Sequence, residues 1–115
     1  MSVSERHISA VTIVDVTGKL TQGEAGDALR DKVGSLLQQG RKQIVVNLGD
    51  VSYMDSSGLG MLVSAFATAS RQGGALKLLN LTKRLQDLLV ITKLLNVFEC
   101  FDNETDALAS FGLPT

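Results

Sequence analysis

From Ile8 to Val16 the even positions read Ile8, Ala10, Thr12, Val14 and Val16, with Ser9 and Asp15 between them. Successive side chains of a strand point to opposite faces, so this alternation predicts a half-buried strand. "TGKLTQGEAG" then interrupts the pattern with three glycines and two threonines and reads as a loop. Ala25, Leu29, Val33, Leu36 and Leu37 recur at helical spacing, with Gly40 as a stop signal. "QIVVNL" is short, β-branched and almost continuously apolar, as expected of an inner strand. A second helical stripe, Leu59, Leu62, Val63 and Phe66, ends near "RQGG". "ALKLLNL" predicts another strand, and "TKRLQDLLVITKLL" a helix with Leu85, Leu88 and Leu89 on one face. "NVFECF" predicts a further strand. Asn103, three positions before Asp106, resembles a helix cap ahead of Ala107, Leu108 and Phe111.

Strand and helix therefore alternate four times, with room for a short extra strand at the N-terminus. The expected fold class is α/β, with one mostly parallel or mixed sheet of four to five strands and about four helices packed on it. A chain of 115 residues fits one domain, spanning 1–115. Aromatic residues make up only 4% and Trp is absent, so the core has to be aliphatic.

A formal net charge of -1 argues against direct nucleic-acid binding, which needs a basic face. Cys100 is the sole cysteine, so neither an internal disulfide nor a zinc site is expected; within "VFECF" it reads as a small buried apolar residue. "MSVSERHISAV" lacks the pattern of an export signal, and no apolar run approaches the roughly 20 residues of a spanning helix. The expectation is a cytoplasmic protein without membrane insertion.

Candidate chemistry concentrates in "DVSYMDSSGLGMLV", residues 50–63, where a strand pattern gives way to a helix pattern. A helix beginning near Ser57 or Gly58 leaves its first N–H groups unpaired, and one of Asp55, Ser56 or Ser57 is expected to cap it. Of the two hydroxyls, Ser57 reads as the better placed to bond the first-turn amides. An acid, two hydroxyls and two glycines exceed what a cap needs. An oxygen or phosphate at Ser56 would sit in the positive field of the helix start, and Gly58 and Gly60 would keep the first turn slim for an approaching partner.

Catalytic readings fail on spacing. A nucleophile elbow needs Gly two positions before the serine, and Met54 and Asp55 stand there. The sole histidine, His7, reads as a surface residue at the start of a strand rather than a base. "GLGMLV" has Val63 where a dinucleotide fingerprint has its third glycine, and "TGKLT" lacks the rest of a P-loop. Asp15 stands alone where a receiver domain has an acid pair. No catalytic, cofactor-binding or metal-binding residue is expected, and no enzyme activity.

"VVNLGDVSYMDSSGLG" resembles the central motif of STAS domains, in particular the bacterial anti-sigma-factor antagonists. The resemblance extends to the opening strand ending in Gly18, the helix before "IVVNL", the "GGALKLLNL" strand and the "LLVITKL" segment. It implies that Ser56, directly after the aspartate, is a phosphorylation site, with Asp55, Ser57 and Gly58 as its fixed neighbours. It implies an anti-sigma factor that is also a serine/threonine kinase as partner, which phosphorylates Ser56 with ATP, and a serine phosphatase that resets the switch. Gly18, Lys19 and Thr21 complete the expected partner surface. Many antagonists carry Gly-Glu-Leu-Asp where this chain has Gly18-Lys19-Leu20-Thr21. Lys19 and Thr21 are then either ordinary loop residues or the counterpart of a differently charged partner. A STAS adaptor subunit of a lipid or anion transport complex, with Ser56 never modified, is the alternative reading.

Overall fold

A computed structural model describes residues 2–21 and 24–112. Five strands, β1 (Ser2–Ile8), β2 (Val11–Leu20), β3 (Gln43–Met54), β4 (Ala75–Leu79) and β5 (Cys100–Phe101), lie side by side in chain order. β1 runs antiparallel to β2, and all other neighbours are parallel. Parallel neighbours need long crossovers, which α1 (Glu24–Gln38), α2 (Ser56–Arg71) and α3 (Lys83–Ile91) supply; α4 (Glu104–Ala109) follows β5. The mixed five-stranded sheet with four helices is the expected α/β architecture. Gln22 and Gly23 of the expected loop, and the side chain of Ala25, lie outside the described residues.

Expectation and structure part at the N-terminus. Residues 8–16 are not one strand: the chain reverses at Ser9–Ala10, Ile8 pairs with Val11, and Ser9 takes a φ of 55°. The even-position alternation was partly coincidental, because both faces of β2 are covered. Val14 and Val16 pack with Leu29, Val33, Leu36, Ile44, Val46 and Leu62 in the core under α1, α2 and α3. Val11 and Ile13 face the other way, packing with Val45, Leu79 and Ala107 beneath α4. Covering both faces is what makes "QIVVNL" read as continuously apolar.

"NVFECF" yields only the two-residue strand Cys100–Phe101. Phe98 instead turns into the larger core, its ring 5.0 Å from that of Phe66 and edge-on to it. Cys100 is exposed rather than buried, because β5 is the sheet's last strand and has a neighbour on one side only. Partial burial, and then the Asp102 charge, push its thiol pKa up.

Polar side chains tie the α4 face together. Arg6 grips Asp15 through two hydrogen bonds of 2.6 and 3.0 Å and reaches Glu104 at 2.9 Å. Asn47 donates to Asp15 at 2.8 Å and accepts from Asn80 at 3.2 Å. The "lone" Asp15 is thus a structural hub joining β1, β2, β3 and α4.

β3 is longer than its neighbour. β4 pairs with Gln43 to Asn47 only, whereas β2 follows β3 as far as Met54. Residues 18–20 and 51–54 therefore form a two-stranded ribbon beyond the ends of β1 and β4, with register breaks between Asp15 and Thr17 and between Gly18 and Lys19. This ribbon carries the candidate site.

Candidate functional site at the start of helix α2

Parallel pairing places Gly18 opposite Val51, Lys19 opposite Tyr53 and Leu20 opposite Met54. The Gly18–Thr21 stretch and the Asp55–Gly58 stretch, over thirty residues apart in sequence, thereby meet at one end of the ribbon. Asp55 N–H donates to the Leu20 carbonyl at 3.4 Å. Gly18 has a φ of 101°, a left-handed conformation that costs glycine little.

α2 begins at Ser56, and its cap is Asp55, not Ser57. The Asp55 backbone is extended, and its Oδ1 accepts from the Gly58 N–H at 2.7 Å. A carboxylate wins this position because the cap residue precedes the first helical residue, and Ser57 lies inside the first turn. Its negative charge also complements the positive end of the helix dipole. With Asp55 engaged, Ser56 is exposed and Ser57 half-buried.

Gly58 serves the interior rather than an approaching partner. It is buried, and a β-carbon there would fall 2.0 Å from the Leu20 carbonyl oxygen. Only glycine lets α2 start against the end of β2. Gly60 is exposed, and a β-carbon on it would meet nothing within 4 Å.

His7, near the end of β1 rather than at a strand start, touches Thr12 at 3.1 Å and Glu5 at 2.6 Å. Thr12 and Leu20 are separated by eight residues of β2, about 26 Å of extended chain, so the imidazole sits far from Ser56. Among the described residues no cluster of three or more His, Cys, Asp or Glu could hold a metal, and no helix is long and apolar enough to cross a membrane.

Two residues not singled out in the sequence lie beside the site. Tyr53, two residues before the cap, is 40% exposed, with the Arg84 guanidinium 5.7 Å from its ring centroid. The one signal in the chain was a large aromatic at a strand end; its approach by α3, thirty residues on, has none.

A β1–β2 hairpin leading into a parallel sheet in chain order, with a capped helix start displaying a serine, defines a small α/β domain. The family model described as "STAS domain" matches residues 2–107, and the chain belongs to that family. It is 42% identical over 86 residues to the anti-sigma-B factor antagonist of Bacillus subtilis, covering 75% of this chain and 77% of that protein. Its fold matches a candidate anti-sigma factor antagonist of Thermotoga maritima with a TM-score of 0.88 at 22% identity, over 96% and 95% of the two chains. It also matches the Bacillus cell fate determinant SpoIIAA in its phosphorylated form, with a TM-score of 0.75 at 20% identity, over 96% and 99%.

Proposed function

We propose that this chain is a cytoplasmic anti-sigma-factor antagonist without catalytic activity of its own, switched by phosphorylation of Ser56. The unmodified form binds an anti-sigma factor that is also a serine kinase and so frees a sigma factor. The kinase transfers phosphate to Ser56, the pair separates, and a serine phosphatase restores the hydroxyl. Asp55, Ser57, Gly18, Lys19 and Thr21 belong with Ser56 to the contact surface in this reading, and the buried Gly58 supports it from beneath. The observation that carries this reading is the division of labour at the helix start. Asp55 does the capping and Gly58 the packing, which leaves Ser56 exposed with no structural task.

A phosphate there adds roughly -1.5 to -2 charges at the centre of a contact. Facing one partner carboxylate at about 7 Å with an effective dielectric near 20, it costs roughly 4 kcal/mol. Even after screening, about two decades of affinity would be lost without any change of fold.

The test combines phosphopeptide mapping after incubation with the cognate kinase and ATP with binding titrations of both forms. Phosphate on Ser56 and a weakened modified form are the expected results. Phosphate on Ser57 instead, or equal affinity of the two forms, overturns the assignment.

A further inference from the structure

The surface beside Ser56 is both apolar and cationic, which a helix start does not require. Tyr53, Met54, Arg84, Asp87, Leu88 and Ile91 line an open groove of about 360 Å³. α3 contributes residues 84, 87, 88 and 91, a single stripe at helical spacing. Leu85 and Leu89 bury α3 in the core and Leu88 packs half-buried at its edge, which leaves Arg84, Asp87 and Ile91 as the exposed part of the stripe. Ile91 is 77% exposed. The other wall, Tyr53 and Met54, immediately precedes the Asp55 cap in the chain, two residues from Ser56 at its nearer end.

The charges around it are lopsided. Asp87 is held by Lys83 at 3.4 Å. Arg84 leans on the Tyr53 ring and has no carboxylate partner among the described residues, and Lys19, opposite Tyr53 in the strand register, has none either. Tyr53 thus has the Arg84 guanidinium against its ring and Lys19 opposite it in the strand ladder, both without a carboxylate partner among the described residues.

We infer that this groove seats an apolar side chain of the anti-sigma factor next to a carboxylate that pairs with Arg84, so that one partner covers Ser56 and α3 together. The inference rests on the proposed antagonist function and adds the chemistry of the partner's face. Acids on that face match Lys19 and Arg84, and the same acids would confront a phosphate on Ser56. Tyrosine and arginine are among the residues that dominate binding at protein contacts.

The probe is each of the host's anti-sigma factors, purified and titrated against the full, unmodified chain by calorimetry. With the factor that the wild type binds, Ile91→Asp should weaken affinity on the order of tenfold or more. Arg84→Glu should also weaken it and flatten its dependence on salt. Val97→Asp, at an exposed apolar residue in a different groove, should bind like the wild type. All three positions are exposed, and unchanged melting curves would show that the fold is kept. Undiminished binding by Ile91→Asp overturns the groove assignment while leaving the antagonist reading standing, as does equal weakening by Val97→Asp. A wild type that binds none of the factors removes the antagonist reading and this inference with it. A wild-type dimer in sedimentation that Ile91→Asp splits assigns the groove to a second copy and likewise overturns it.

Discussion

Gly58 and Leu20 are in such close contact that a β-carbon on residue 58 would fall 2.0 Å from the Leu20 carbonyl oxygen. This contact joins the end of β2 to the first turn of α2, and so the Gly18–Thr21 stretch to the serine. Gly58→Ala should destabilise the fold by about 2 kcal/mol, because backbone rather than a flexible side chain has to move. Gly60→Ala, two residues on, has open space and should stabilise by about 0.5 to 1 kcal/mol through helix propensity. Urea unfolding of the two variants checks the opposite signs; a harmless Gly58→Ala would contradict the close approach.

Asp55 and Ser57 should differ in the same assay. Asp55→Ala removes the acceptor of the Gly58 N–H and should cost about 1 kcal/mol. Asp55→Asn keeps an oxygen there and should recover most of it. Ser57→Ala should stay within about 0.5 kcal/mol of the wild type, since the hydroxyl is not the cap. A Ser57→Ala loss as large as that of Asp55→Ala would restore the hydroxyl to the capping role.

At Ser56 the fold should be indifferent and the binding should not. Ser56→Ala should melt like the wild type, resist phosphorylation and hold the partner kinase with similar affinity. Ser56→Asp supplies about one charge where phosphate supplies nearly two, so its affinity should fall between the unmodified and phosphorylated forms. Calorimetric titration against the kinase measures the order. Ser56→Asp binding as tightly as wild type would sink the electrostatic account.

Acid stability should depend on Asp15. Its carboxyl is held below the usual carboxylate range, first by the Arg6 hydrogen bond and then by Asn47 and the Arg6 charge, with burial opposing. Between its folded and unfolded pKa values the unfolded chain binds more protons, so stability rises with pH there. The contribution is complete above the unfolded value, about 3.9, and disappears as pH falls through the lower folded one. Asp15→Asn should therefore lower stability at neutral pH and shrink the drop on acidification. Urea midpoints from about pH 2 to about pH 7 give the comparison. An acid limb as steep as in the wild type would assign it to other carboxylates, Glu5 among them, whose pKa Lys32 lowers.

The helix stripes 29–37 and 59–66, the strand at 43–48 and the Asn103 cap were legible in the chain because each rests on local periodicity or on a bond to a residue three positions away. The junction at residues 55–58 was legible too, as a cluster too rich for a cap alone. Which member caps the helix was not: Asp55, Ser56 and Ser57 are all good cap residues, and the start of α2 is set by where β3 runs out against Leu20. The hairpin at Ser9–Ala10 was hidden because helices cover both faces of β2, which erases the one-sided alternation that marks a strand's ends. Cys100 looked buried among apolar neighbours, but whether such a segment is covered depends on its place in the sheet, and β5 is last. Sequence by itself determined the helices, the inner strands at 43–48 and 75–79 and the serine they display. Long-range contacts alone decided that Leu20 leans on Gly58 and Arg84 on Tyr53, because strand register and helix packing join residues that no local pattern relates.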